Sequence, residues 1–206
     1  MAPRHYDRRL RDQTREETRR RIVEATFRLH GRHGTMATTY PMVAHAADVS
    51  VPTVYNHFST RGDLIAACTR HVPSEAPALG PEIFEGLADV PARVRALVRA
   101  LGKSYAFWEP WLRWGVAEVA FVPELKGILE RWRSGREALA REAFARGFGG
   151  RPPRALLDIA AALLDFPAWQ SLTRASNSKR TEAVLADALI TMYRSYRSPR
   201  KGESRP

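Results

Sequence analysis

The residues best suited to bind another molecule lie between 51 and 57, within the segment VPTVYNHF at 51–58, which has helical spacing. Val54 and Phe58 stand one turn apart and face inward. The residues nearer the exposed side are Val51, Pro52, Thr53, Tyr55, Asn56 and His57. A helix of this size fits the major groove of DNA, where its N-terminal residues meet base edges. This pattern therefore predicts binding to a DNA duplex.

Residues that could carry catalysis or hold a metal ion are sparse. The sequence contains no P-loop, no G-x-S-x-G, no H-E-x-x-H and no cysteine pair. Cys68 with His71, or His30 with His33, could supply half a metal site, yet no third ligand is evident nearby. We therefore predict no catalytic residue, no metal and no cofactor. A single cysteine is typical of a reducing compartment, and we expect a cytoplasmic protein.

The exposed face needs a supporting helix and a tight turn, and residues 38–50 have the composition for both. Thr38 or Thr39 can cap a first helix, and a proline falls in its first turn. Asp48 occupies the turn, where the left-handed backbone region tolerates Asp. Ser50 can cap the second helix. The inward-facing residues of the first helix are Val43, Ala44 and Ala47. Together these features predict a helix-turn-helix.

The rest of the chain also has helical periodicity, without β-branched runs bounded by hairpin turns. We predict an all-α fold with an N-terminal three-helix helix-turn-helix head and a larger C-terminal helical bundle. The predicted helices cover about 14–33, 40–47, 51–57, 60–72, 91–108, 110–121, 123–147, 152–173 and 179–197. Gly34 should end the first helix, and Pro167 should kink the helix that precedes the last.

The net charge of +11 is concentrated toward the two ends of the chain. Basic residues outnumber acidic ones in residues 1–72 and again from residue 194 onward. An excess of this kind indicates an anionic partner, and nucleic acid is the usual one. The apolar runs are far shorter than the roughly 20 residues that a membrane-spanning helix needs, so we expect no membrane segment.

Residues 15–72 resemble the DNA-binding region of the TetR family of bacterial one-component regulators. The family pattern is roughly T-x-x-x-I-A-x-x-A-G-V-S-x-G-T-L-Y-x-Y-F-x-x-K-E-x-L. It is matched at Thr39, Val43, Ala44, Ala47, Val49, Ser50, Thr53, Val54, Tyr55, Phe58, Arg61 and Leu64. The sequence departs from it at Asp48, Pro52, His57 and Gly62, and Arg61 replaces a lysine.

The resemblance implies how the exposed residues meet DNA. Those expected to contact phosphates or the groove are Thr39, Thr53, Tyr55, His57 and Arg61. Those expected to face bases are Val51, Pro52 and Asn56. The basic arm from Arg4 to Arg21 either reaches a minor groove or neighbouring phosphates, or is a solvated tail.

The resemblance also implies a small-molecule pocket in the second bundle and a homodimer formed through the last two long helices. The candidate pocket residues are Trp108, Trp111, Phe121 and Trp169, although such aromatic residues can equally fill a core. The acids expected nearest the pocket are Glu109, Glu118 and Asp165. The apolar stripes expected at the dimer surface are Leu156, Ile159, Ala160, Leu163 and Leu164, and Val184, Leu185, Ala188, Leu189, Met192 and Tyr196.

The composition shifts between Pro73 and Pro91, which marks a domain junction. We predict a basic arm at 1–14, a helix-turn-helix domain at 15–73, a ligand-binding and dimerisation domain at 74–198 and a basic tail at 199–206. The expected function is that of a homodimeric repressor, released from a double-stranded DNA operator by a small apolar or aromatic ligand. The alternatives are a sequence-independent architectural DNA-binding protein and, with less support, a helical enzyme.

Overall fold

The computed structural model describes residues 4–71 and 73–197, in which the chain forms nine α-helices and no strand. The helices are α1 (Arg4–Ala37), α2 (Tyr40–Ala46), α3 (Val51–His57), α4 (Arg61–Cys68), α5 (Val90–Glu118), α6 (Glu124–Ala145), α7 (Arg154–Leu163), α8 (Phe166–Ala175) and α9 (Ser178–Arg197). The all-α prediction is confirmed over these ranges. Every helix in them is too short or too polar to cross a bilayer.

The helices belong to two compact units, each assembled from two separate stretches of chain. The head unit comprises Met1–Ser74 and Glu109–Leu129. The bundle unit comprises Glu75–Trp108 and Glu130–Pro206. Consequently α5 and α6 each contribute residues to both units. The predicted basic tail at 199–206 lies outside the described residues.

The first helix starts well before its predicted beginning near Thr14. The hydroxyl of Thr14, expected near the helix start, donates to the carbonyl of Leu10 at 2.9 Å, as a residue inside a helix does. On the exposed face, Arg20 pairs with Glu17 at 2.6 Å and with Glu24 at 2.9 Å, which supports the helix. The predicted break at Gly34 is confirmed, because its φ of 81° and ψ of 171° are not helical.

Two other helix boundaries differ from the sequence-based prediction. A break was predicted just before Pro110, but α5 continues through it from Val90 to Glu118. A proline inside a helix costs one backbone hydrogen bond, and the turns on both sides keep theirs. α4 ends at Cys68 rather than near residue 72, because the N–H of Arg70 bonds three residues back to the carbonyl of Ala67, which closes a turn.

The predicted kinked helix at 152–173 is two helices. Asp165 adopts an extended backbone, with φ −75° and ψ 152°, and its carboxylate accepts the N–H of Phe166 at 2.9 Å. It therefore caps α8, and Pro167 falls in the first turn, where a missing N–H costs nothing. The proline starts a new helix instead of kinking an old one.

The core of the bundle unit is aliphatic with a few aromatic rings. Its fully buried side chains include Leu97, Leu101, Tyr105, Phe144, Leu156, Leu164, Leu185 and Leu189. The hydroxyl of Tyr105 donates to the carbonyl of Leu164 at 2.5 Å, and burial raises the pKa of this tyrosine to about 12. Five of the eleven residues in the predicted dimer stripes are therefore buried inside this unit. The exposed members of those stripes are Ile159, Val184 and Tyr196.

Candidate nucleic-acid interface

The two helices of the helix-turn-helix begin at hydroxyl caps. The side chain of Thr39 accepts the N–H of Met42 at 3.5 Å, and that of Ser50 accepts the N–H of Thr53 at 3.2 Å. Each helix then has a proline in its first turn. α3 therefore covers Val51–His57, as predicted from its cap.

The turn between these helices depends on Asp48. Its φ of 53° makes it the one non-glycine residue with positive φ in the described chain. The N–H of Val49 reaches back to the carbonyl of Ala44 at 3.0 Å, which closes the turn. The predicted left-handed conformation is confirmed, and Asp is among the few residue types that adopt it at low cost.

A small core holds α3 in place. Val54 and Phe58, its predicted inward residues, are buried. They pack with Val43, Ala44 and Ala47 of the supporting helix and turn, and with residues of α1 and α4. This helix is short, so its orientation is set by packing rather than by its own hydrogen bonds.

The opposite side of α3 is presented to solvent. Pro52, Tyr55 and Asn56 are exposed, whereas Val51, Thr53 and His57 are half-buried. The ring of Tyr55 is 54% exposed and its centroid lies 4.5 Å from that of Tyr40. Tyr55 therefore rests on a neighbouring ring and does not fill the core.

Two arginines of α1 lie close to the end of α3, and both belong to the Arg4–Arg21 arm that was predicted either to reach DNA or to be a solvated tail. Burial, followed by the positive charges of Arg15 and Arg19, lowers the pKa of His57. The guanidinium of Arg19 also lies over the ring of Phe58, 5.1 Å from its centroid. The sequence shows that these arginines lie one helical turn apart. It does not show which element of the fold they face.

Arg61 has an internal partner as well as an exposed position. It is the first residue of α4, and its guanidinium donates to the carbonyl of Thr35. Thr39, the cap of α2, is also exposed. Arg61 has further N–H groups that can reach an anion while this bond is kept.

The polypeptide just after Gly34 is held by a residue of α5. Glu118 is 7% exposed, and its Oε2 accepts the N–H of Thr35 at 2.7 Å and that of Met36 at 3.2 Å. The carboxylate of Glu118, one of the acids predicted to lie near a ligand pocket, is placed at the start of the turn that leads into α2.

The four candidate pocket aromatics are divided between the units. Trp108 and Trp169 belong to the bundle unit, and Trp111 and Phe121 belong to the head unit. Trp111 stacks on Phe27 with centroids 4.3 Å apart and donates its indole N–H to the carbonyl of that residue at 2.8 Å. Phe121 is 71% exposed, and Trp169 is buried.

The histidine and cysteine residues considered for a metal site form a buried contact in the head unit. His30 Nδ1 lies 3.4 Å from Cys68 Sγ. Burial, with the charge of Arg61, lowers the pKa of His30 to about 4, and burial raises the pKa of Cys68 to about 12. Both groups are therefore neutral at pH 7. The described part of the chain has no cluster of three or more metal-binding side chains.

Comparison with known proteins identifies this region. Residues 22–68 match the family model described as "Bacterial regulatory proteins, tetR family". None of the curated proteins compared matches the chain significantly.

Solved structures resemble the chain over most of its length. It is similar to Salmonella enterica GusR, with 23% identity, coverage of 86% of this chain and 94% of that chain, and a TM-score of 0.61. The multidrug binding protein EbrR complexed with imidazole gives 25% identity, coverage of 82% and 93%, and a TM-score of 0.56. An HlyIIR mutant protein gives 16% identity, coverage of 84% and 99%, and a TM-score of 0.60. These similarities show a shared fold.

Proposed function

We propose that this chain, whose residues 22–68 match the tetR family model, is a DNA-binding transcriptional regulator of that family and a homodimeric repressor released from its operator by a small ligand. The observation that carries the proposal is the exposed face of α3. Pro52, Tyr55 and Asn56 are in solvent, while the opposite side of the helix is packed in the core of the head unit. A helix held in this way can enter a major groove without rearranging.

On the proposed complex the exposed residues divide into two groups. Val51, Pro52 and Asn56 face base edges, where they specify sequence by apolar and amide contacts. Phosphate or groove contacts come from Thr39, Thr53, Tyr55, His57 and Arg61. We add Arg15 and Arg19 to the phosphate group because their charges lie beside His57. Since α3 offers few long hydrogen-bonding side chains, DNA shape contributes to specificity.

The proposed dimer uses the apolar residues that the bundle unit leaves exposed. Ile159 of α7 and Val184 and Tyr196 of α9 are such residues. Two copies related by a two-fold axis would place their recognition helices about 34–36 Å apart, one turn of a palindromic operator. The chromosomal target makes the cytoplasm the expected location.

The proposed ligand is apolar or aromatic. EbrR is a multidrug binding protein solved with imidazole and with malachite green, so this fold can hold aromatic ligands. In this chain Glu118 is bonded to backbone N–H groups, and Asp165 pairs with Arg136 at 2.9 Å. With two of the three candidate acids engaged, a neutral ligand is favoured over a cationic one. Trp108 and Trp169 are the pocket candidates within the bundle unit, and Trp111 and Phe121 those within the head unit.

Selection of random duplexes by the purified protein tests the DNA-binding proposal. A repressor of this type would recover a palindromic consensus and bind it far more tightly than unrelated DNA. Recovery of no consensus, with binding that weakens uniformly as salt rises, would support an architectural protein instead.

The Tyr55→Ala variant tests the proposed interface itself. We expect it to abolish detectable binding to the selected duplex and to leave the melting temperature unchanged, because the ring is more than half exposed. Tyr55→Phe is the matched control, since it keeps the ring contact with Tyr40 and removes only the hydroxyl. An equal loss of stability and binding in Tyr55→Ala would show a packing role.

Thermal-shift measurements separate the two ligand classes. The probes are malachite green, which is cationic, and a neutral aromatic compound of similar size. Stabilisation by the neutral compound alone is expected. Stabilisation by the dye alone would contradict the assignment of ligand charge.

A further inference from the structure

The last turn of α1, after the break at Gly34, has backbone N–H groups that the preceding helical turns cannot satisfy. Gly34 leaves the helical region, so the N–H groups of Thr35 and Met36 begin a new turn without partners in the preceding one. The hydroxyl of Thr38 donates back to the carbonyl of Gly34 at 2.7 Å, which closes this turn. The orientation of this turn matters because it leads directly into α2, which begins at Tyr40 after the Thr39 cap.

A single acidic side chain supplies the missing partner. Glu118 Oε2 accepts both free N–H groups, at 2.7 and 3.2 Å, and this carboxylate is buried. Hydrogen bonds from neutral donors to an ionised acceptor are stronger than those between neutral groups. The peptide of Thr35 is also held at its other end, because its carbonyl accepts from Arg61. The carboxylate of Glu118 on α5 and the guanidinium of Arg61 on α4 thus hold the same short stretch of backbone.

Two tryptophans place Glu118 where it can do this. Trp111, two turns earlier on α5, bonds to the carbonyl of Phe27 on α1. Trp114, one turn earlier than Glu118, lies against Gly34, where an added Cβ would meet its ring. The last two turns of α5 are therefore anchored along α1, and Glu118 reaches the segment at their end.

We infer that Glu118 is a positioning residue for DNA binding: it sets the direction in which α2 and α3 leave α1, without contacting DNA. This inference rests on the proposed function. Loss of its two hydrogen bonds frees the segment that carries the supporting helix. The recognition helix is then presented over a range of angles. Contacts to bases depend on that angle, whereas attraction to phosphates depends mainly on charge.

The test compares affinity for two duplexes, the one selected by the wild-type protein and a scrambled duplex of the same composition. For Glu118→Ala we expect affinity for the selected duplex to fall about tenfold or more, the scale of lost charged hydrogen bonds. Affinity for the scrambled duplex should stay within about twofold, because phosphate attraction persists. Glu118→Gln keeps an acceptor oxygen and should show a smaller loss. Glu130→Ala, which removes an exposed acid of α6, is the charge-matched control.

Amide hydrogen exchange adds a measurement that does not require DNA. The amides of Thr35 and Met36 should exchange faster in Glu118→Ala, while those of the buried α1 residues stay protected. Circular dichroism at the assay temperature establishes that each variant is folded. If Glu118→Ala does not fold, Glu118→Gln decides the question by the same two measurements.

The outcomes separate this inference from the proposed function. Equal losses for the selected and scrambled duplexes would indicate general destabilisation and overturn the positioning role. Unchanged affinity for the selected duplex would overturn it as well. If the wild-type protein selects no duplex, the proposed function fails first and the inference falls with it.

Discussion

The two units compensate buried charge in different ways. In the head unit the buried carboxylate of Glu118 is satisfied by backbone N–H groups, and the buried His30 is neutral at pH 7. In the bundle unit two buried arginines depend on acidic side chains. Arg136 pairs with Asp165 at 2.9 Å, and Arg93 pairs with Glu142 at 3.0 Å.

The difference determines what a single substitution can do. A side-chain partner can be removed, which leaves a buried charge uncompensated in the bundle unit. A backbone partner remains, so substitution in the head unit changes the geometry of a turn instead. We therefore expect bundle substitutions to act mainly on stability and head substitutions to act on stability and on DNA binding together.

The largest effect is expected for Asp165→Asn in the bundle unit. Asparagine still caps α8 but leaves Arg136, which is 7% exposed, without its ion pair. The free energy of unfolding should fall by about 3 kcal/mol, the low end for a buried ion pair because the Asp165 side chain is 47% exposed, as measured by denaturant titration. Arg136→Met removes the charge itself and should cost less. A greater cost for Arg136→Met would mean that packing, and not charge balance, dominates at this site.

The second effect is a pH dependence in the head unit. Burial lowers the pKa of His30 to about 4, whereas an unfolded chain takes up this proton near pH 6.5. The unfolded state then binds more protons in this interval, so the free energy of unfolding decreases as the pH falls through it. The loss should approach about 3 kcal/mol near pH 4. His30→Gln should flatten the curve, and His33→Gln, on the exposed side of the same helix, is the matched control variant.

A third prediction compares two glycines with positive φ, one from each unit. At Gly34 an added Cβ would meet the carboxylate of Glu118 and the ring of Trp114, whereas at Gly86 it would meet nothing within 4 Å. Gly86→Ala should therefore cost only the backbone strain, about 1 kcal/mol, and Gly34→Ala about 2 kcal/mol or more. Gly34→Ala should also weaken binding to the selected duplex. Equal losses of stability for the two variants would show that Glu118 and Trp114 can move away from the added Cβ without a cost in free energy.

The smallest expected change in stability is the difference between substitutions at two tryptophans of α5. Trp111→Phe loses the 2.8 Å hydrogen bond to the carbonyl of Phe27. The indole N–H of Trp114 has no acceptor within the described chain, so Trp114→Phe loses only ring area. Thermal unfolding should show Trp111→Phe to be less stable by about 1 kcal/mol. A larger cost for Trp114→Phe would indicate that packing against Gly34 is the stronger contribution.

The features that could be predicted from the sequence are local ones. The caps at Thr39 and Ser50 and the left-handed turn at Asp48 follow from residue types within a few positions of each other. The break before α8 was also readable, since Asp165 followed by a proline two residues later is a helix-start signal. The prediction was wrong at this point because it took Pro167 to kink a continuous helix, whereas this proline lies in the first turn of a new one.

The features that could not be predicted depend on distant residues. Glu118 and Thr35 are 83 positions apart, and nothing in either neighbourhood specifies the pairing. The persistence of α5 through Pro110 is of the same kind, because tertiary packing outweighs the local signal. For this reason the sequence could not reveal that Glu118 and Trp111, which it indicated as residues near a ligand pocket, also contact backbone groups of α1.

Because the head unit is built from two separate stretches of chain, it affects how the protein folds during synthesis and how chimaeras of it must be designed. A ribosome that has released only residues 1–74 has not yet supplied Val122 and Leu125, which pack on Ile65. The head can therefore complete its core only after the stretch ending at Leu129 has emerged, later than its position in the chain suggests. A chimaera that transplants the head unit onto another protein must carry residues 109–129 with the N-terminal segment.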